Sequence, residues 1–339
     1  MLTIHDLPYR QIIQTFSPAV LDSLEILFSS AHLGHTFPAA TLTVIQKGEV
    51  RLNDSWGWID PETRSLPVQP DTLFDLASVT KLFTTSAFLS QVSAGCVRLD
   101  DPLVTIIPEF GVSGPRPLDG GQDPHNKVRL PTPEEERRQT ADPARVTFYH
   151  LLTHTSGLAP WRDVFDAAGP APMPPGQRDP ISRQKRWTNA LKALYGYPFV
   201  GQPGEGVVRY SDLGLMLLGE AVSRLQDAPG KLDTRDPRLK IDPNLMQSAT
   251  QEHEETGGMR RGLGWMLKAH EDSSAGDLFS SDSYGHTGFT GTSLWIDPRR
   301  GLVVACLTNR VYPGRGQEGI HGFRRSLHDL IAKAVDEKC

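Results

Sequence analysis

The stretch LFDLASVTKLFTT, residues 73–85, has the pattern in this chain that is most typical of one fold. Phe74-Asp75-Leu76 predicts a short strand, and an apolar helix that begins at Ser78 and stops near Gly95 follows it. Residues three apart are neighbours on a helix, so Ser78 and Lys81 face the same side. A desolvated lysine has a lowered pKa and can activate a serine hydroxyl as a nucleophile. The alternative is that Ser78 is an ordinary helix N-cap.

A second S-x-x-K pattern occurs at Ser182-Arg183-Gln184-Lys185. A chain of this length is expected to contain about one such pattern by chance, so the pattern alone decides little. The context differs, because Ser182 lies in a polar run rich in arginine and proline, whereas Ser78 opens an apolar helix. Ser78 is therefore the candidate nucleophile. Its backbone N–H, in the first turn of a helix, is a candidate oxyanion donor.

Segments on both sides of residues 73–85 predict a sheet built from both ends of the chain. Residues 18–32 have the apolar spacing of a helix, and residues 40–54 alternate around Lys47-Gly48 as in a two-stranded hairpin. Three β-rich runs and a closing helix follow Arg261, namely GLGWMLKA, TSLWIDP, GLVVACLTN and EGIHGFRRSLHDLIAKAV.

The middle of the chain, residues 100–206, is rich in proline and glycine and has no convincing strand pattern. It predicts helices joined by long loops, including a short helix capped by Thr147. A strong helix with a hydroxyl or carboxylate N-cap then begins at Ser211-Asp212.

The predicted fold class is therefore α+β, with an antiparallel sheet flanked by the N- and C-terminal helices and an all-α subdomain. We assign residues 1–85 and 260–339 to the sheet domain. Residues 86–259 form the inserted helical subdomain, and a cleft is expected at the junction.

Composition and charge exclude several classes of protein. Lys and Arg number 35 against 40 Asp and Glu, a net charge of −5, so no basic field is available for nucleic acid. No apolar run is long enough to span a bilayer. The three cysteines, Cys96, Cys306 and Cys339, form no C-x-x-C pair and imply no disulfide framework. We expect a cytoplasmic protein, because the N-terminus lacks a secretory signal pattern, although a removed leader would leave no trace.

Nothing in the sequence points to a cofactor or a metal. No Walker or Rossmann glycine loop occurs, and the absence of G-x-S-x-G disfavours an α/β-hydrolase. His150 and His154 are four residues apart, but no third ligand follows at a useful spacing. We therefore expect no bound metal and no cofactor.

Two further motifs lie at predicted ends of elements. Tyr210 comes directly before a helix, and a phenol beside a lysine ammonium can shuttle protons. His286-Thr287-Gly288-Phe289 is predicted on an edge strand, where Gly288 permits a close backbone approach to a ligand and a backbone N–H can serve as an oxyanion donor. The structural alternatives are a tyrosine that packs its ring at a helix end and a simple glycine-rich turn.

Taken in order, these motifs resemble the serine β-lactamase and penicillin-binding-protein superfamily, which has S-x-x-K, a Tyr/Ser-x-Asn element and K-T-G. LFDLASVTKLFTT, HLLTHTSGL, YSDLGLMLLGE and GHTGFTGTSLWIDP resemble the class C β-lactamase-like branch, with its penicillin-binding esterases, D-amino-acid peptidases and amidases. The resemblance spans about residues 18–335 and implies a β-lactamase/transpeptidase-like fold.

The same resemblance implies roles for residues of this chain. Ser78 would be the acylated nucleophile, Lys81 and Tyr210 the proton-transfer pair, and the N–H groups of Ser78 and Phe289 the oxyanion hole. The implied substrate-binding residues are Asp212, His286, Thr287, Gly288 and Trp161, the last of which follows HTSGLAP and is expected to border the pocket.

Three features depart from the family pattern. His286 stands where lactamases have the lysine of K-T-G, and a neutral imidazole is a weaker anchor for a substrate carboxylate, which disfavours efficient β-lactam hydrolysis. Asp212 replaces asparagine, and an ionised carboxylate can accept hydrogen bonds but cannot donate them. We hypothesise that Asp212 pairs with Lys81 and shifts the base role toward Tyr210. Residues 226–258 are short and polar for this family, so part of the helical subdomain or of a pocket wall is expected to be missing.

The sequence thus predicts a serine hydrolase that works through an acyl-enzyme. Its expected small-molecule substrates, in falling order, are small acyl esters, D-amino-acid or peptidoglycan-type amides, and β-lactams. The alternative is a penicillin-binding or sensor-like domain that is acylated without turnover. A third interpretation is a structural partner-binding domain, and the sequence does not define an oligomeric state.

Overall fold

The computed structural model describes residues 13–174, 176–226, 240–316 and 318–337. Its α-helices are α1 (Pro18–Leu33), α2 (Thr80–Ser93), α3 (Phe148–Thr153), α4 (Val164–Ala167), α5 (Arg183–Gly196), α6 (Asp212–Gln226), α7 (Pro243–Ala249) and α8 (Ile320–Asp336). Its strands are β1 (Ile13–Gln14), β2 (Ala39–Gln46), β3 (Glu49–Gly57), β4 (Arg116–Pro117), β5 (Thr140–Ala141), β6 (Glu254–Thr256), β7 (Met259–Arg261), β8 (Met266–Leu267), β9 (Tyr284–Thr287), β10 (Ser293–Asp297) and β11 (Leu302–Thr308).

The chain divides into two compact units. The first comprises Met1–Leu82 and Trp265–Cys339, and the second comprises Phe83–Gly264. In the first unit the strands form one antiparallel sheet in the order β1-β3-β2-β11-β10-β9-β8. Helices α1 and α8 belong to this unit, whereas α3 to α7 belong to the second. The helix and sheet content confirms the predicted α+β class.

The β2–β3 hairpin forms where the sequence predicts it. Lys47 and Gly48 both have positive φ, 50° and 83°, which matches the twist of the flanking strands. The Lys47 N–H also donates to the Gly301 carbonyl at 2.7 Å, which ties this turn to the start of β11. Along β10 and β11 buried residues alternate with partly exposed ones, as expected of strands with one face in the core.

Helices α1 and α8 supply aromatic residues to the core of the first unit. The Phe28 ring stacks on Trp56 with centroids 3.9 Å apart, and Phe28 and Phe37 both meet Phe323 edge-on at 5.1 and 4.8 Å. Central strand residues such as Leu42 are completely buried against this cluster. Burial of apolar area by both terminal helices therefore stabilises the sheet.

After residue 250 one strand prediction needs correction, and the structure contains one hairpin that the sequence did not predict. Residues 262–269 were expected to form a strand, but only Met266–Leu267 does. The reason lies in the backbone: Leu263 N–H donates to the Ala249 carbonyl at 2.9 Å and Gly264 N–H to the Leu152 carbonyl at 2.8 Å, so neither is available to a strand. The sequence also did not predict the β6–β7 hairpin, whose strands have three residues each.

The helical middle of the chain also contains two very short strands that the sequence did not predict. Arg116–Pro117 pairs with Thr140–Ala141. Arg116 is buried, its guanidinium lies 4.3 Å from the Phe110 ring centroid, and it donates to the Tyr195 carbonyl at 2.9 Å. The sequence predicts that the segment 226–258 is short for this family. Residues 227–239 of this segment lie outside the described residues.

Two sequence expectations concern the membrane and the thiols. Within the described ranges, no helix combines the length and the apolar character needed to cross a bilayer. Cys96 and Cys306 are free thiols, and burial raises the pKa of Cys306 to about 12. Cys339 lies outside the described residues.

A pair of glycine substitutions tests the packing of the first unit. A Cβ at Gly285 would meet the Leu294 carbonyl oxygen and lie 2.9 Å from Trp295 Cα, so we expect Gly285→Ala to cost about 1–3 kcal/mol. Gly322 is an exposed residue of α8 with nothing near its Cβ position, so Gly322→Ala should stabilise by up to ~1 kcal/mol. Urea unfolding measures both, and equal midpoints would contradict this account of β9.

His328 predicts an acid-sensitive stability. It is fully buried, its Nδ1 donates to the Ser274 carbonyl at 2.9 Å, and burial lowers its pKa from 6.5 to about 4. The native state holds the imidazole neutral, whereas the unfolded chain binds a proton below about pH 6.5. The free energy of unfolding should therefore fall by ~3 kcal/mol from this group as pH drops from 6.5 to 4.

The substitution His328→Gln removes the titration, so its urea midpoint should depend less on pH in that window. His125→Gln, at an exposed histidine, is the control and should keep the wild-type pH dependence. An unchanged acid slope in His328→Gln would show that other groups cause it.

Candidate active site

Ser78 lies in a 3₁₀ turn, Ala77–Val79, that leads directly into α2. The predicted strand at Phe74–Leu76 is wrong, because these residues have no regular structure. Their carbonyls are bound by hydroxyls instead: Thr290 Oγ1 donates to Asp75 O at 2.7 Å and Thr292 Oγ1 to Leu76 O at 2.9 Å. The carbonyls of residues 75 and 76 thus bind to side chains of the 288–292 turn rather than to a neighbouring strand.

Ala77, directly before Ser78, has a strained backbone. Its φ is +46°, in a region that residues with a Cβ seldom adopt. The Asp75 carboxylate stabilises this turn by accepting from the Ala77 N–H at 2.8 Å. Such strain costs on the order of 1–3 kcal/mol and is common next to reactive side chains.

The side chains of Ser78 and Lys81 are in direct contact. Lys81 Nζ donates to Ser78 Oγ at 3.0 Å, and both residues are partly buried. The other S-x-x-K pattern behaves differently, since Ser182 Oγ accepts from the Lys185 backbone N–H at 3.1 Å and caps α5. The structure thus gives the N-cap role to Ser182 and the lysine contact to Ser78.

Residues 286–289 lie at the end of β9. The sequence predicts an edge strand here, and this prediction is wrong. Strand β9 pairs with β10 on one side and with β8 on the other, although β8 pairs only with Tyr284 and Gly285. His286 is buried, and its Nδ1 donates to the Thr287 carbonyl at 2.8 Å. The sequence could not place β8 because the run after Arg261 looks like one long strand.

The turn at residues 288–292 is bound to the turn that contains Ser78. A Cβ at Gly288 would lie 2.7 Å from the Leu76 carbonyl and would meet Thr292 Oγ1, so only glycine allows this approach. The Gly288 N–H donates to the Thr292 carbonyl at 2.7 Å, which closes the turn. Phe289 therefore sits on a turn fixed relative to Ser78.

Arg324 of α8 holds the same turn from its buried side. Its Nη2 donates to the Gly288 carbonyl at 2.9 Å and to the Thr292 carbonyl at 2.8 Å. The side chain is buried, and desolvation lowers its pKa to about 10, so it stays charged at neutral pH. On the solvent side, Arg310 Nη1 donates to the Phe289 carbonyl at 2.7 Å. Sequence reasoning missed Arg324, which looks like one polar residue of an amphipathic helix.

Tyr210 belongs to the second unit and is positioned by the HTSGLAP loop. His154 lies at the left-handed end of α3, with φ +60°, and its carbonyl accepts from Arg209 N–H at 2.8 Å. Its Nδ1 accepts from Ser211 N–H at 3.1 Å, and its ring lies 4.8 Å from the Tyr210 ring. The guanidinium of buried Arg261 lies 5.2 Å from the Tyr210 ring centroid, and burial lowers the pKa of this arginine.

The two histidines considered as metal ligands therefore have structural roles. His150 Nδ1 accepts from the Thr147 N–H at 3.2 Å, and Thr147 Oγ1 accepts from the His150 N–H, which forms a capping box for α3. His154 supports the Tyr210 segment. The sequence identified HTSGL as a motif but could not assign its contacts, which join residues more than fifty positions apart.

Asp212 and Trp161 line one cavity within the second unit. Ser211 Oγ accepts from the Gly214 N–H at 3.2 Å and donates to the Ala159 carbonyl at 2.7 Å, so it caps α6 as predicted. Asp212 follows in the first turn of α6, and its N–H donates to the Pro160 carbonyl at 3.0 Å. The cavity has a volume of about 720 Å³.

The predicted site residues thus fall into two groups. Ser78, Lys81 and residues 286–289 belong to the first unit, where the Ser78 and Phe289 turns are bonded together. The second unit contains Tyr210, Asp212 and Trp161. Tyr210 and Asp212 are close together in the sequence, and Asp212 and Trp161 line the same cavity.

The sequence matches the Beta-lactamase family over residues 27–231 and 225–327, and the chain belongs to this family. It is 33% identical over 207 residues to Esterase EstB of Burkholderia gladioli, a match that covers 61% of this chain and 45% of EstB. The chain thus spans less than half the length of that curated relative.

Two solved structures have a similar fold. EstCE1, a hydrolase with promiscuous acyltransferase activity, superposes with a TM-score of 0.63 at 16% identity, covering 94% of this chain and 98% of that chain. A penicillin-binding protein homolog from Caulobacter crescentus gives a TM-score of 0.65 at 16% identity, covering 97% of this chain and all of that chain. These likenesses confirm the predicted β-lactamase/transpeptidase-like fold.

The Arg324 contacts predict a positioning role. If the Phe289 N–H is the oxyanion donor that the sequence predicts, Arg324→Met should loosen the 288–292 turn and lower kcat for a chromogenic ester by roughly 10- to 100-fold, because misplacing such a donor costs rate rather than ground-state binding. KM should change little, and Arg324→Lys should recover part of kcat.

The neighbouring residue supplies the control for this experiment. Arg325 forms exposed ion pairs with Asp272 and Asp277, so Arg325→Met should keep wild-type kcat. Each variant is assayed below its unfolding temperature. A wild-type kcat in folded Arg324→Met would refute the positioning role.

Proposed function

We propose that this chain is a serine hydrolase that forms an acyl-enzyme on Ser78. The observation that supports this most directly is the 3.0 Å hydrogen bond from Lys81 Nζ to Ser78 Oγ, on a strained turn and beside a turn with a further N–H donor. Membership of the Beta-lactamase family and the likeness to an esterase support hydrolase chemistry.

The proposed reaction begins with attack of Ser78 Oγ on an ester carbonyl. The serine proton passes to the Lys81–Tyr210 pair, the carbonyl π electrons move to oxygen, and the N–H groups of Ser78 and Phe289 stabilise the oxyanion. Collapse of this intermediate breaks the bond to the alcohol oxygen, which takes the proton. Water then attacks the acyl-enzyme with the same pair as base, which releases the acid and restores Ser78.

This proposal combines residues of both units and keeps the sequence-based domain assignment, with residues 1–85 and 260–339 as the sheet domain and 86–259 as the helical subdomain. The choice between Lys81 and Tyr210 as the base stays open, as does the hypothesis that Asp212 pairs with Lys81. The expected order of substrates is unchanged, with small acyl esters first. The cytoplasmic location also stays a prediction.

The two S-x-x-K serines provide a matched test. Ser78→Ala should lower kcat/KM for p-nitrophenyl acetate by about 10³-fold or more, because no other group is proposed to form the acyl bond. Ser182→Ala should keep the activity and lose only about 0.5–2 kcal/mol of stability, the usual cost of an N-cap. Intact-mass analysis after brief incubation should show the acyl adduct in wild type and in Ser182→Ala but not in Ser78→Ala.

Other outcomes separate the competing hypotheses. A burst of p-nitrophenol followed by a stall would favour the penicillin-binding or sensor-like domain. Equal loss in both alanine variants, or no acylation by esters, D-peptides or penicillins, would contradict the proposed function and favour a structural domain.

A further inference from the structure

The cavity of the second unit has the size and lining of a small-molecule site. Its volume of about 720 Å³ lies within the range of ligand pockets. Apolar side chains from α4, α5 and α6 form most of its wall, among them Phe165, Trp187, Ala190, Leu213 and Met216, with Trp161 from the HTSGLAP loop.

Two of the charged groups of the wall, the guanidinium groups of Arg162 and Arg186, are bound by the protein, and Arg183 and Asp212 also line the cavity. Arg162 is buried and forms an ion pair with Asp119. Arg186 donates from Nε and Nη2 to the Pro170 carbonyl at 3.0 and 2.9 Å. These guanidinium groups are engaged by protein acceptors, so the cavity offers a ligand mainly apolar surface.

One of the tryptophans of the wall is held in a fixed orientation. Trp187 Nε1 donates to Glu220 Oε2 at 2.8 Å, and Glu220 Oε1 in turn accepts from Arg224 Nε at 2.8 Å. Since the polar edge of the indole is bound to Glu220, its apolar surface is what remains to contact a ligand. A rigid wall binds an apolar group with little loss of side-chain entropy.

One residue of the cavity wall, Asp212, is close to Tyr210 in the sequence. Asp212 is two residues from Tyr210, so their Cα atoms are at most about 7.6 Å apart. The chain segment that contains Tyr210 therefore borders the apolar cavity at Asp212.

We propose that this cavity binds the larger apolar group, a medium-length alkyl chain or an aryl group, of the ester that Ser78 cleaves. This inference rests on the proposed function, because it takes Tyr210 as part of the reacting site. It makes the protein selective for esters with one bulky apolar part. That part is either the acyl chain or the alcohol, and the two cases are separated by experiment.

The test fills the cavity from α5. Ala190→Leu adds bulk at the wall, whereas Ala193→Leu makes the same change on the same helix at a residue outside the wall. We expect Ala190→Leu to lower kcat/KM for the bulky ester by about tenfold or more, the effect of one or two misfitted methylenes. Its kcat/KM for methyl acetate should stay within about twofold of wild type, as should every value for Ala193→Leu.

Two ester pairs identify the bound group. p-Nitrophenyl octanoate is compared with p-nitrophenyl acetate for the acyl chain, and octyl acetate with methyl acetate for the alcohol. A selective loss in either pair supports the cavity as the site of that group. Met216→Trp is a second filling variant in case Ala190→Leu unfolds. The absence of a selective loss in both pairs would overturn the proposal.

A binding experiment separates this inference from the proposed chemistry. Ser78→Ala protein cannot form the acyl-enzyme, so calorimetric titration with octanoate and with octanol reports binding alone. Adding Ala190→Leu should weaken the binding of octanoate or of octanol by about tenfold or more, whereas adding Ala193→Leu should not. This result would support the cavity as the binding site even if Ser78 proves not to be the nucleophile. Ser78-dependent turnover of small esters without such binding would retain the proposed function and overturn the cavity assignment.

Discussion

Two threonine hydroxyls hold the turn that contains Ser78, and the geometry of the first unit's candidate site depends on them. Thr290 and Thr292 donate to the carbonyls of Asp75 and Leu76, across 215 and 216 positions of the chain. The pairing of β9 with β10 fixes the two threonines, so the register of the sheet determines the place of the Ser78 turn. The same bonds anchor the carbonyls directly before Ala77, whose strained conformation leads the chain into α2. The register of the sheet and the position of Ser78 are therefore one constraint.

Features with a local cause were predictable from the sequence. The apolar period of α1 and α8, the alternation of β10 and β11, and the Lys47-Gly48 turn each reflect contacts within a few residues, and all of them form in the structure. Sequence context also separates the two S-x-x-K patterns, because Lys81 Nζ contacts Ser78 in an apolar helix whereas Ser182 accepts from the Lys185 backbone N–H as an N-cap. The role of Ser78 as nucleophile stays a prediction. The fold class followed because strand patterns occur at both ends of the chain and helix patterns in between.

Features with a distant cause were not predictable in this way. Phe74–Leu76 has a strand-like composition, but hydroxyls from the far end of the chain bind its carbonyls. Arg324 looks like a surface residue of an amphipathic helix, yet it is buried and bridges two carbonyls of the Phe289 turn. Burying a charged group is costly unless it is hydrogen-bonded, so such an arginine specifies one arrangement of that turn. Arg261 is another buried cation, and its guanidinium lies over the Tyr210 ring.

The replacement of lysine by His286 and the apolar cavity favour the same substrates. The Nδ1–H of His286 donates to the Thr287 carbonyl, and the ring is buried. His286 is therefore a weaker hydrogen-bonding partner for a substrate carboxylate than a lysine ammonium would be. An anionic group next to the reacting carbonyl, as in β-lactam antibiotics, then loses its main attraction. The chamber beside Asp212, whose Arg162 and Arg186 are bound to protein acceptors, also gains most from an uncharged, apolar group. Within the proposed function, both parts of the chain therefore favour a neutral ester with one bulky apolar part.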